Sequence, residues 1–331
     1  MTAGRLRPVK EALFGKEVER IVSLIPSTTE IACALGFTDS LVARSHECDF
    51  PPGVESLPAL TEPKLDPSAS SRAIDDRVKQ LVTEGLSVYR VDAERLRSLE
   101  PTVILTQDQC EVCAASLRDL EGALDDWLEA SPRVVSLNPN TLADVWMDIE
   151  RVAAALGAAE HGKRVAHELT ERVAAIAERT VRIRSRPSVA CIEWIDPLMG
   201  AGNWIPDLVR LAGGEPIFGE SGEHSSWLEW EALRDADPEI IVLLPCGFSI
   251  ERTRAEIAPL LAQPGWSNLS AVRANRVYVT DGNQYFNRPG PRLVESLEIL
   301  AELTHPDHFA PSCTRGAAGT RDAASAGWQT L

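Results

Sequence analysis

Cys110 and Cys113 stand three apart in "TQDQCEVC" (106–113), directly after a run of apolar residues, and His46, Glu47 and Cys48 follow another such run in "LVARSHEC" (41–48). Thiolates and imidazole suit soft ions, so Cys48, Cys110, Cys113, His46 and, from the other half of the chain, Cys246 are candidate ligands for zinc, an iron–sulfur cluster or copper(I). The same thiols suit redox chemistry, because a cysteine opening a helix has its pKa lowered by the helix N-terminus. A single C-x-x-C also fits plain packing of small residues, the reading that suits Cys33 and Cys191. Beside the thiols, Gln107 and Gln109 offer amide donors and acceptors, and Asp108, Glu111 and Glu193 offer carboxyls.

Strands must carry these groups. Short Val- and Ile-rich runs at 20–25, 41–45, 102–106, 133–137, 188–194, 240–245 and 276–281 alternate with helical patterns, which predicts parallel sheets covered by helices. In such sheets ligands bind beyond the carboxyl ends of the strands, where the chain reads "PSTTE" (26–30), "HECDFPP" (46–52), "QDQCEVC" (107–113), "EWIDP" (193–197), "CGF" (246–248) and "GNQYFNRPGPR" (282–292). Ser27, Thr28 and Thr29 either cap the next helix or turn their hydroxyls to a ligand, and the two roles are compatible.

An echo joins the two halves: "ERLRSLEPTVILT" (94–106) and "EALRDADPEIIVLL" (231–244) each end a helix before a proline and enter a strand. Between the halves, Thr141 and Asp144 form a capping-box start for a helix carrying Leu142, Val145, Ile149, Val152 and Leu156 at helical spacing. A second helix, 160–182, places Val165, Leu169, Val173 and Ile176 on one face. The expected organisation is an N-terminal extension (1–19), an N-terminal α/β lobe (20–140), a helical connector (141–185), a C-terminal α/β lobe (186–309) and a disordered tail (310–331).

Thirty-three basic against forty-nine acidic residues give a net charge of −16, which argues against nucleic acid and anionic lipid as partners. Seven cysteines do not suggest a disulfide framework. The first thirty residues carry charges throughout and show no secretory signal, so a cytoplasmic location with reduced thiols is expected. No dinucleotide fingerprint, phosphate-binding loop or nucleophile elbow is present, which favours a ligand-binding protein over an enzyme.

"RIVSLIPSTTEIACALG", "ERLRSLEPTVILT", "GNWIPDLVRLAGGEP" and "RPGPRLVESLEILAEL", in this order, resemble the cobalamin and iron-chelate binding proteins of ABC importers, over residues 20–303. The resemblance implies two α/β lobes with mostly parallel sheets joined by a long helix, and a corrinoid or related metal chelate held between them. It implies ligand contacts from Pro26, Ser27 and Thr28 in the first lobe and from Trp194, Trp204, Tyr285, Phe286 and Arg288 in the second. Trp227 and Trp230 are possible additions to an aromatic wall suited to a flat macrocycle. Gln107, Gln109 and Glu193 complete the candidate ligand set. An ABC transporter partner follows from the resemblance but sits poorly with the missing export signal. The alternative is a cytoplasmic metal- or redox-active protein centred on the cysteines and His46.

Overall fold

The computed structural model describes residues 19–84, 86–109, 132–309 and 327–331. In the first lobe, β1 (Ile21–Ser23), β2 (Leu41–Arg44), β5 (Val103–Gln107) and β6 (Arg133–Leu137) form a parallel sheet in the order β2-β1-β5-β6. Val103–Leu105 are almost wholly buried, as expected of strands covered on both faces. A separate antiparallel pair, β3 (Thr61–Pro63) and β4 (Tyr89–Val91), flanks this sheet.

The second lobe is built on parallel β7 (Ser188–Trp194), β11 (Ile240–Leu243) and β12 (Val277–Thr280). Short β9 (Glu215–Pro216) extends β7 in parallel, while β8 (Met199–Gly200) and β10 (Ser226–Trp227) add antiparallel edges. On the far side β13 (Trp328–Thr330) pairs antiparallel with β12. The end of the tail is thus ordered, contrary to expectation. Its polar composition conceals one anchor, because the Trp328 ring packs edge-on against Tyr278 at 5.5 Å and its indole N–H reaches Glu302 at 3.2 Å. Residues 310–326, including Cys313, lie outside the described residues.

The helices that matter to the site are α1 (Pro26–Ala34), α2 (Ser71–Thr83), α3 (Ala93–Ser98), α4 (Leu142–Ala155), α5 (Ala159–Thr180), α6 (Ile205–Leu211), α7 (Trp230–Ala236), α8 (Ile250–Glu256) and, after two short helices, α9 (Leu293–Thr304). The capping box of α4 forms as its sequence predicts: the Thr141 N–H donates to Asp144 Oδ2 at 2.7 Å and the Asp144 N–H to Thr141 Oγ1 at 3.3 Å. The connector α5 has 22 residues, about 33 Å at 1.5 Å per residue, and buries Leu169, Val173 and Ile176. It lies closely against α4 because Gly162 faces Ala153, where a Cβ would fall 2.3 Å from the Ala153 Cβ.

One core runs through both lobes. Ile21, Leu105 and Leu137 of the first lobe join Ile149, Val152, Leu169 and Val173 of the connector helices and Val189, Leu208, Val294 and Leu300 of the second lobe. The echoed segments also match in shape: shortly after α3 and α7 a residue at φ 43°, Glu100 and Asp237 respectively, precedes Pro101 and Pro238, which lead into β5 and β11. Among the described residues no helix is long and apolar enough to cross a membrane.

Candidate functional site

The strand ends of both lobes face one cleft. From the first lobe, the turn between β1 and α1 brings Ile25, Pro26 and Ser27 to its wall, and the end of β5 brings Gln107 and Gln109. A hydrogen-bonded row fixes these side chains: Ser27 Oγ donates to Gln107 Oε1 at 3.1 Å, and Gln107 Nε2 to Gln109 Oε1 at 2.9 Å. Glu47, after β2, and Tyr89, on β4, complete this side, with the phenol donating to Glu47 Oε1 at 2.8 Å. Desolvation pushes the Glu47 carboxyl above its usual range, and the hydrogen bond from Tyr89 only partly offsets that.

From the second lobe come Glu193, Gly202, Asn203, Trp204, Ile205, His224, Cys246, Asn283, Asn287 and Arg288. Ser225 Oγ accepts from the Gly202 N–H at 2.9 Å and donates to Glu193 Oε2 at 2.7 Å, which ties the end of β7 to the loop before α6. Gly202 is required there, since a Cβ would lie 2.4 Å from the Glu223 carbonyl oxygen. Asn203 then takes the left-handed region (φ 51°), held by its N–H to the Glu223 carbonyl at 2.6 Å. Strain of this kind persists where the surroundings over-determine the backbone. Asn287 Nδ2 donates to the carbonyls of Leu244 and Gly282, both at 2.9 Å, so its side chain holds the loop in shape.

The aromatic wall expected of this lobe is largely turned inward. Trp204 is 4% exposed and its indole N–H donates to the Phe286 carbonyl at 2.7 Å, while Phe286 (φ 69°) is fully buried; both underlie the cleft floor. Trp194 is off the cleft, packed against Phe248 at 5.1 Å with its N–H on the Ser71 carbonyl at 3.2 Å. Tyr285 packs on the shared core, and Trp230 is buried beside Trp266 at 6.2 Å. Trp227 is exposed beneath Lys79 Nζ, 4.4 Å from the ring centroid. Thr28 also leaves the wall, because its hydroxyl is used by the Ile25 carbonyl (3.1 Å) and Ser23 Oγ (2.7 Å).

Among the described residues the candidate metal ligands do not converge. Cys48 is 1% exposed, 3.0 Å from Thr29 Oγ1, and burial pushes its thiol up to about 11; Cys191 goes to about 12 for the same reason. His46 turns Nδ1 to Thr61 Oγ1 at 2.7 Å and sets its ring edge-on to Tyr89 at 5.1 Å; desolvation and then the nearby Arg44 charge lower its pKa. Of the candidates among the described residues, Cys246 alone lines the cleft. Among the described residues no three His, Cys, Asp or Glu side chains gather to hold a metal ion, and Cys110 and Cys113 lie outside them.

Arg288 reaches the cleft but is already engaged. Nη1 donates to Asp49 Oδ1 at 2.5 Å and Glu30 Oε1 at 3.2 Å, and Nη2 to Asp49 Oδ2 at 3.2 Å, Asn283 Oδ1 at 3.0 Å and the Glu47 carbonyl at 3.4 Å. Arg292 grips Glu30 with Nε (2.8 Å) and Nη2 (2.6 Å) and stacks on Phe50 at 3.9 Å. Glu30, Asp49, Arg292, Tyr89, Asn203, Asn283 and Asn287 were not singled out by sequence reasoning. The asparagines were visible in "GNW" and "GNQYFN", but aromatic neighbours drew the attention; nothing local marks the charged partners.

Residues 21–284 match the family described as Periplasmic binding protein. The chain belongs to that family. As a periplasmic binding protein it is 23% identical over 308 residues to the ABC transporter substrate-binding lipoprotein YvrC of Bacillus subtilis, covering 91% of this chain and 84% of that protein. It is 24% identical over 293 residues to the vitamin B12-binding protein of Yersinia pestis, covering 88% of each. The heme-binding protein RhuT of Roseiflexus, in its apo form, superposes with a TM-score of 0.65 at 24% identity, over 88% of this chain and 99% of that one. The two-lobed α/β architecture with a long connecting helix is therefore the family fold.

Proposed function

We propose that this periplasmic binding protein holds a corrinoid, a macrocycle fringed with carboxamides, in the cleft between its lobes. The chemistry of the wall carries the reading. Gln107, Gln109, Asn203, Asn283 and Asn287 line the cleft with amides, of which Asn203 Oδ1 is buried without a partner, Glu47 and Glu193 present carboxyls, and Arg288 is the one guanidinium among the described lining residues. Amide edges donate and accept at once, so they pair with ligand amides without net charge. A macrocycle bearing carboxylates would instead meet two acids and an arginine whose donors are taken up by Asp49, Glu30 and Asn283. The vitamin B12-binding relative supports this ligand class and the heme-binding neighbour supplies the competitor. Delivery to an ABC transporter is part of the same proposal, supported by the YvrC relative.

A visible-absorbance titration of the reduced protein with cyanocobalamin and with base-free dicyanocobinamide tests it. A saturable one-to-one spectral change with either is expected; the absence of any change at high micromolar ligand overturns the reading.

A further inference from the structure

We propose that Asp49 determines ligand specificity by masking Arg288, so that carboxylate-bearing macrocycles find no partner in the cleft. This deepens the reading of the cleft given above by naming the residue that enforces it.

The geometry separates the two acids that hold Arg288. Glu30 belongs first to Arg292, which grips it with two nitrogens at 2.8 and 2.6 Å, and its contact with Arg288 is the longer one at 3.2 Å. Asp49 instead takes Arg288 in a fork, one carboxylate oxygen on each terminal nitrogen. That fork is the edge a guanidinium offers to a ligand carboxylate, and a protein carboxylate already fills it. Asn283 Nδ2 holds Asp49 in this position at 2.9 Å.

Charge points the same way. Glu30 and Asp49 are the carboxylates that pair directly with Arg288 and Arg292, and removing Asp49 takes away the negative charge closest to Arg288 while the carboxyls of Glu47 and Asp281 still face it. The Asp49 side chain is 34% exposed whereas those of Arg288 and Glu30 are 7% and 2% exposed. Asp49 is thus the member that can be removed with Glu30 still anchoring the arginine. Burial alone would raise the Asp49 carboxyl, but the hydrogen bonds and charge of Arg288 outweigh it and hold the pKa below the usual range, so the mask stays charged at neutral pH.

The test compares wild type, Asp49→Ala and Asp49→Ala/Arg288→Met as binders of mesoporphyrin IX, which carries two carboxylates, and of its diamide, at fixed ionic strength. Asp49→Ala is expected to bind the diacid about tenfold to a hundredfold more tightly than wild type, the worth of a charge-assisted hydrogen-bond pair, with the diamide changed by less than about twofold. The double variant is expected to lose the gain. Unchanged diacid affinity in Asp49→Ala, an equal gain for the diamide, or a gain that survives in the double variant overturns the proposal. If Asp49→Ala does not fold, Asp49→Asn carries the same comparison, with a smaller gain expected and no gain overturning it. Failure of the wild type to bind dicyanocobinamide overturns the corrinoid reading, while the diacid-to-diamide ratio still decides the role of Asp49.

Discussion

The lobes are tied across the cleft at two places of opposite character. At one, Glu30 and Asp49 of the first lobe meet Arg288 and Arg292 of the second, with Glu30 and Arg288 almost out of water. At the other, the stretch leading into α2 lies against α8 and the end of β7. There Arg252 donates to the carbonyls of Pro67 (2.6 Å) and Ala69 (2.5 Å), the Ser71 N–H to Glu256 (3.1 Å), the Trp194 indole to the Ser71 carbonyl, and Arg72 pairs with Asp196. Charges withdrawn from water must find complete partners, so the first tie is balanced and stacked on Phe50. The second leans on backbone carbonyls and on side chains that water can serve equally well, Arg72 being about half exposed. The difference assigns permanence to one tie and ready exchange to the other.

The most disruptive way to test that contrast is Glu30→Ala, which strands the buried Arg292 guanidinium while Arg288 keeps its fork with Asp49; a loss of about 3–5 kcal/mol is expected in urea unfolding. A loss no larger than that of a variant at the second tie, the strap of residues 67–72 on α8 and β7, would break the comparison. The pH dependence of the buried tie comes next. Because the folded pKa of Asp49 is depressed, the stability it contributes is present above its unfolded value, about 3.9, and disappears as pH falls through the lower folded value. The stability difference between wild type and Asp49→Asn should therefore be constant from neutral pH to about 4 and close only below it.

Arg252→Ala is expected to cost about 1 kcal/mol or less in stability while broadening the interlobe distances seen between spin labels on the two lobes. A sharp, unchanged distribution would show that the strap does not govern opening. The smallest effect is assigned to Arg72→Ala, a slight loss at low salt that vanishes at high salt. A loss insensitive to salt would place this pair with the buried tie instead.

Much of the fold could be read because its seven main strands are runs of Val, Ile and Leu, and because Thr141 and Asp144 announce a helix whose buried stripe follows at the right spacing. Short strands without an apolar run escaped: β3 is Thr-Glu-Pro, and its pairing with β4 depends on what lies nearby in space. At the site, the rule that ligands meet strand ends singled out Pro26, Ser27, Gln107, Gln109 and Glu193, and all five line the cleft. It could not tell which way a ring turns: Trp204 and Phe286 line the cleft from its floor, almost wholly buried, while Trp194 lies off it. The ties were illegible for a different reason: Glu30 and Arg292 are 262 positions apart, and no local pattern links them.

The core that passes without interruption from β1 through α4 and α5 into α9 bears on how the molecule comes apart. It has two lobes in outline but one unit of melting. A calorimetric scan should show a single transition whose van't Hoff and calorimetric enthalpies agree, and neither lobe expressed separately should hold its shape. Any ligand seated in the cleft would then lift the melting temperature of the whole chain, so that occupancy can be followed from any tryptophan, however far from the cleft.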